Sequence, residues 1–309
     1  MDIFLNICKV TLEEGFMYAI MALGVYITYS ILDFPDLSVD GTMPMGAIVT
    51  AVLILAGVDP WLCLGLSFAA GALAGCVTGL LHVKLRIRPL LCGILVYTAL
   101  LSINLVILFA FNGGASVASF FRKPTIFSTF LGALIPEYVG GMYLRTMLVS
   151  LVVAVVCKLL LDVFLKTKSG LLLRATGNNE KYVTLLSRDP GNSKILGLAL
   201  GNGFAALAGS VIAQSKGSAD QQMGVGMVVL GLASVIIGLS VFKKSRLKAT
   251  TMVILGSVAY KAVLTVALGL GLPTEYLKLL MALLFTLALV STNFFSKRRN
   301  KPYVNTPEL

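Results

Sequence analysis

Residues 89–111, PLLCGILVYTALLSINLVILFAF, run for 23 positions without one charged side chain. A helix rises 1.5 Å per residue, so about 20 apolar residues cross a hydrocarbon core of about 30 Å. The rest of the chain repeats the pattern. Charged breaks divide it into nine apolar candidates, at 15–32, 41–58, 61–82, 89–111, 145–165, 194–215, 224–242, 249–271 and 276–294. Composition agrees with this: 57% of the 309 residues are hydrophobic, 13% are charged, 30 are glycine, and mean hydropathy is +0.91. A soluble domain carries about 25% charged residues. A water-soluble enzyme, a nucleic-acid-binding domain and a disordered chain are therefore excluded. The fold class is all-α, a polytopic helical membrane protein with about eight to ten transmembrane helices, forming one domain over 1–309.

The net charge of +11 must be located before it is interpreted. Basic residues of membrane proteins concentrate in cytoplasmic loops. Here they cluster at Lys84, Arg86 and Arg88; at Lys166, Lys168, Arg174, Lys181, Arg188 and Lys194; at Lys243, Lys244, Arg246 and Lys248; and at Lys297, Arg298, Arg299 and Lys301. Nine crossings of the cell membrane put all four clusters on one side. The N-terminus then lies outside and the C-terminus in the cytoplasm. Residues 166–193 form a cytoplasmic loop, and 112–144 an extracytoplasmic loop expected to fold into short interfacial helices. Asp2, Glu13 and Glu14 flank the single early lysine, Lys9, so the start of the chain lacks the basic region of a cleaved signal peptide. The five cysteines have neither metal nor redox spacing and read as small buried side chains.

An internal repeat is also visible. Leu37-Ser38-Val39-Asp40-Gly41 leads into one span as Gly217-Ser218-Ala219-Asp220-Gln221 leads into another, each after a helix rich in small residues. The topology places the two turns on opposite sides, so the repeat would be inverted, with broken helices.

All carboxylates are placed at span ends or in loops, which leaves no intramembrane acid for proton or sodium coupling. The single histidine, His82, sits at the inner edge of a span and reads as an interfacial residue. No residue pattern calls for a metal or a cofactor, and no catalytic residues are expected. The chain is not read as an enzyme. No G-x-x-x-x-G-K-[ST] motif occurs. If ATP drives this protein, a separate ATPase subunit binds it. Residues 178–189, NNEKYVTLLSRD, supply a docking surface for such a chain: a short helix with Tyr182, Leu185, Leu186 and Asp189 on one face, capped by Asn178 or Asn179 and stopped by Pro190. The candidate docking residues are Asn179, Glu180, Tyr182, Val183, Leu186 and Arg188. The same pattern also suits a helix lying on lipid headgroups.

Candidate residues for a solute path are the polar groups between or within spans. Segment 33–45 places Asp36, Ser38, Asp40 and Gly41 between two apolar runs and near Pro35 and Pro44, so it is not a regular helix throughout. Asn104, Asn202, Ser234, Tyr260 and Lys261 lie within spans. Lys261 is about a dozen residues from either end of its span, with no acid as an obvious partner, and so faces a wet cavity or meets carbonyls in the bundle.

Gly170-Leu171-Leu172-Leu173-Arg174-Ala175, Asn179-Glu180-Lys181, Leu185-Leu186 and Ala205-Ala206-Leu207-Ala208-Gly209 together resemble the branched-chain amino acid type of ABC importer permease. Asp36 to Gly41 is similar to the D-L-S-V-G stretch of the ribose-type permeases, and Gly231 to Gly238 to that family's small-residue helix. The likeness runs from about residue 15 to 292. It departs at Val183 and Leu186-Ser187, where the family's coupling helix has a small residue and then Leu-Gly. The resemblance implies a membrane-spanning subunit that imports a small polar solute such as an amino acid. It implies a dimer with a second permease subunit, most simply a homodimer, above two ATPase subunits and below an extracytoplasmic substrate-binding lipoprotein. The partners are thus protein chains and membrane lipid, with no nucleic acid. A stand-alone secondary transporter or channel has the same spans and stays open at this point.

Overall fold

The computed structural model describes residues 2–130, 132, 135, 138–139, 142–185 and 189–297. Among these, the chain forms α1 (Asp2–Val25) continued by a π-helical stretch (Tyr26–Ile31), then α2 (Val39–Leu55), α3 (Pro60–Val83), α4 (Pro89–Phe111) and α5 (Arg145–Phe164). The short helices α6 (Lys168–Asn178) and α7 (Glu180–Leu185) follow, and then α8 (Pro190–Lys216), α9 (Met227–Val241), α10 (Ala249–Gly269) and α11 (Leu277–Lys297). Seven stretches are long and apolar enough to cross a membrane, and Val39–Leu55 and Leu277–Val290 are shorter apolar helices. The nine expected runs are therefore all helical. Proline opens α3, α4 and α8 at a first-turn position, where its missing N–H costs nothing.

Two sequence expectations are corrected. The first helix starts at Asp2 rather than near residue 15, and its apolar span begins at Asn6. Glu13 and Glu14 thus lie inside a span, not ahead of one. A hydropathy reading retreats from adjacent acids, whereas the helix continues through them because Lys9 and Lys261 stand against them. In the loop 112–144, the described residues include a strand, β1 (Val117–Ser119), instead of helices alone. It pairs antiparallel with β4 (Ser218–Asp220), which follows α8. A second two-residue pair joins β2 (Tyr138–Val139) to β3 (Met142–Tyr143). The run 127–135 lies partly outside the described residues.

The helices pack in matched sets. α1 lies on α10 as α8 lies on α3; α2 packs on α3 and α4 as α9 packs on α10 and α11; and α1 meets α8. Along α1 and α8 the contacts run in opposite senses: Gly24 meets Gly201, while Leu32 meets Gly197. Helices 1–4 and 8–11 are thus two inverted halves, although the stretches 37–41 and 217–221 are not equivalent within them: the first opens α2, and the second forms β4 ahead of α9.

Glycine sets the distances between them. A Cβ on Gly75 would lie 2.2 Å from the Leu198 carbonyl oxygen, on Gly71 2.5 Å from that of Asn202, and on Gly46 2.0 Å from that of Ala206. Helices α2, α3 and α8 therefore touch backbone to backbone, which small residues permit in a membrane, where dispersion and close packing drive association. Outward-facing side chains are apolar. Ile94, Leu95, Ile103, Val106 and Phe109 of α4 are all exposed, as lipid contact requires.

Candidate functional site

Between α1 and α2 the chain does not remain helical. Tyr26–Ile31 widens into a π-helix, Asp33 takes a left-handed φ of 53°, and the backbone runs extended or turned to Ser38. The expected break at 33–45 therefore falls at 33–38. What holds it is a buried polar network. Asp36 is 5% exposed, and Ser38, Thr42, Thr78 and Asn202 are 0% exposed. The Asp36 carboxylate accepts Ser38 N–H at 2.9 Å and Ser38 Oγ–H at 2.6 Å on Oδ1, and Asn202 Nδ2–H at 2.7 Å on Oδ2. Asn202 Nδ2 also donates to the Leu198 carbonyl at 3.1 Å, and its Oδ1 accepts Thr42 Oγ1–H at 2.9 Å. One amide orientation satisfies every partner, because the opposite one would set oxygen against carboxylate. Gly93 admits this segment to α4: a Cβ there would lie 2.7 Å from Leu37 N.

One turn further on, Asp40 joins the two halves. Its carboxylate accepts Gly226 N–H at 3.2 Å and Val228 N–H at 2.7 Å, the free donors at the start of α9. A carboxylate there satisfies orphan N–H groups and complements the helix dipole. Gly226 reaches its φ of 87° because it has no Cβ. Pro44, inside α2, cannot donate to the Asp40 carbonyl four residues back, and Gly224 closes on that oxygen, where a Cβ would stand 2.0 Å away. The short helical turn Gln221–Gly224 that leads into α9 is capped by Asp220. Each half thus contains an interrupted helix, and the two interruptions are in contact.

The remaining candidates separate from this network. Asn104 Nδ2 donates to the Gly41 carbonyl at 3.1 Å, tying α4 to the start of α2. Ser234 bonds within its own helix, to the Leu230 carbonyl, and Tyr260 reaches the Met281 carbonyl at 3.4 Å. Lys261 is 7% exposed and has an acid partner after all: Nζ donates to Glu14 Oε2 at 2.8 Å and stands 4.0 Å from the Tyr18 ring centroid. His82 Nδ1–H donates to the Ile87 carbonyl, 2.8 Å away, beside Phe34.

In the segment 166–193, the helix expected over 178–189 is described at Glu180–Leu185, directly after Asn179. Asn178 ends α6, Asn179 breaks the helix at φ −159°, and α7 begins at Glu180. Val183 is fully buried, Leu185 is 81% exposed, and Glu180 pairs with Lys194 of α8 at 2.7 Å. Leu186 and Arg188 lie outside the described residues, as does the side chain of Tyr182. Beneath this layer, Leu173 of α6 packs into the helical core at the Gly197 turn of α8.

The family model described as "Branched-chain amino acid transport system / permease component" matches residues 11–289. The chain belongs to this permease family. It is 40% identical over 283 residues to the tyrosine transport system permease protein of Clostridioides difficile strain R20291, covering 91% of this chain and 90% of that one. More distant likenesses are to a probable branched-chain amino acid transport permease protein, LivH, of Methanocaldococcus jannaschii, at 27% over 66% of each chain, and to the ribose import permease protein RbsC of Haemophilus influenzae, at 24% over 77% of this chain and 68% of the relative. No solved structure matches.

In this permease the residues that sequence reasoning missed are Glu14 and Thr78, while Thr42 falls within the segment 33–45 that it did single out. Thr42 follows Ser38 by four positions and so shares its helix face, a signal that was present but not distinctive. The Lys261 partner predicts an asymmetry. Glu14→Ala, which strands a buried ammonium, is expected to cost about 2 kcal/mol, less than a fully buried pair because Glu14 is half-exposed. Adding Lys261→Met should recover most of that loss. Thermal unfolding in detergent reads both, and equal stability of the two variants would refute the pairing.

Proposed function

We propose that this permease is the membrane-spanning subunit of an ATP-driven importer that carries an amino acid, tyrosine or a similar aromatic one, into the cytoplasm. The observation that carries the reading is its likeness, over nine-tenths of both chains, to a protein named as a tyrosine transport permease. The geometry supports it: two inverted halves meet at interrupted helices, the arrangement by which transporters alternate access. Asp36, Ser38, Asp40, Gly41, Asn104 and Asn202 act as the hinge of that junction, holding the breaks in register rather than offering charge to a solute.

The ATPase works from a separate chain and docks on α7. Leu185 offers an exposed apolar contact, Val183 anchors the helix from below, and Glu180–Lys194 links it to α8. Motion of α7 then passes along α8 to Asn202 and the break. By the family's architecture the permease works as a homodimer in lipid, below a substrate-binding lipoprotein. The N-terminus is outside and the C-terminus cytoplasmic.

Three measurements test these points. Proteoliposomes containing the permease, its ATPase and its binding protein should accumulate labelled L-tyrosine or a related amino acid only with ATP; uptake without ATP would establish a stand-alone transporter instead. Replacing 180–185 with a Gly/Ser linker should abolish copurification of the ATPase, and Glu180→Lys should weaken it several-fold while the permease stays folded. Retention of the ATPase by the linker variant would remove α7 from the interface. Reporter fusions should report opposite sides for the two termini, and two cytoplasmic ends would break the nine-crossing topology.

A further inference from the structure

A second polar region lies apart from the hinge, between the middle of α1 and the end of α8. There a cavity of about 220 Å³ is lined by Glu13, Glu14, Met17, Tyr18, Ile212 and Lys216, among others. That is room for about seven waters at ~30 Å³ each, the scale of a small solute. Its wall carries both signs of charge on one apolar floor. Glu14 is engaged by Lys261 behind it. Glu13 is held more loosely: Lys9 pairs with it at 3.8 Å, beyond hydrogen-bond distance, and its buried Oε1 has no hydrogen-bond partner among the described residues. Lys216 is exposed at the last turn of α8 and makes no ion pair with the described residues. A carboxylate short of a donor and an ammonium short of an acceptor, facing one cavity, complement a ligand that carries the opposite pair.

We propose that this cavity binds the zwitterionic head of an amino acid, with Lys216 holding its carboxylate, Glu13 its ammonium, and Met17, Tyr18 and Ile212 its side chain. The assignment rests on the amino-acid reading above and places a solute site within the permease itself. α8 continues from Lys216 through Asn202, so an occupied site and the hinge share one helix. Charge-assisted hydrogen bonds at both ends of the ligand select for zwitterions over amines or acids alone.

The test uses the full permease–ATPase complex, without binding protein, in phosphatidylcholine nanodiscs that hold no primary-amine lipid. Binding of labelled L-tyrosine is measured alongside tyramine, which lacks the carboxylate, and 3-(4-hydroxyphenyl)propionate, which lacks the ammonium. Lys216→Met should weaken tyrosine about tenfold or more and leave tyramine unchanged. Glu13→Gln should weaken tyrosine and tyramine but not the acid. Lys216→Arg, which keeps the charge, should retain tyrosine binding and confirms folding of the altered helix end. Unchanged tyrosine affinity in both neutralised variants, or import by the complete system with no direct binding to the permease, would overturn the site and leave the proposed function standing. A complete wild-type system that neither binds nor imports any amino acid would overturn the function, and this site with it.

Discussion

Replacing Asn202 with leucine is expected to cost about 3 kcal/mol or more of stability and to abolish uptake. The side chain is wholly buried and makes the only bond to Asp36 Oδ2 among the described residues, while its own Oδ1 accepts from Thr42. Leucine fills the volume and supplies neither group. Asp36, 5% exposed, would keep only its two bonds from Ser38. An unsatisfied buried neutral group costs about 1–3 kcal/mol and a charged one more, because no water replaces the lost donor. Ser67→Ala is the control. It deletes one neutral bond to the Ala206 carbonyl, at 2.9 Å, in the same helix layer, and should cost only about 1 kcal/mol. Thermal unfolding of the purified permease measures both. Equal losses would mean that Asn202 is ordinary packing and that the break at 33–38 is held by something else.

Asp40→Ala is expected to stop transport with a smaller loss of stability, about 2 kcal/mol, the scale of hydrogen bonds to a charged group. The carboxylate is the link that the hydrogen bonds show between the start of α2 and the start of α9. Without it, the first-turn N–H groups of α9 lose their acceptor, and the two interruptions can separate. Asp40→Asn retains an acceptor oxygen but not the charge, so partial uptake should return. Hydrogen exchange at 226–228 gives an independent reading: these amides should exchange faster in Asp40→Ala and recover in Asp40→Asn. Full uptake in Asp40→Ala would sever the hinge from the mechanism.

Each apolar run in the sequence became a helix because the bilayer demands that the backbone bond to itself locally, and that demand is written into consecutive residues. Proline at 60, 89 and 190 opens α3, α4 and α8, a local effect on the backbone, although Pro190 reads in the sequence as the stop of the helix before it. Glycines at 71, 75 and 79 permit close packing, but the sequence does not name their partner, which is α8. The polar pairs were beyond reach. Asp36 and Asn202 are 166 positions apart, Asp40 and Val228 188, and Glu14 and Lys261 247. Periodicity carries no information at those separations. Read alone, Glu14 looked like the edge of a span and Lys261 like a charge without a counter-ion, although each is tolerated only because of the other. Charge inside a membrane is a property of pairs, and pairs are made by the tertiary fold.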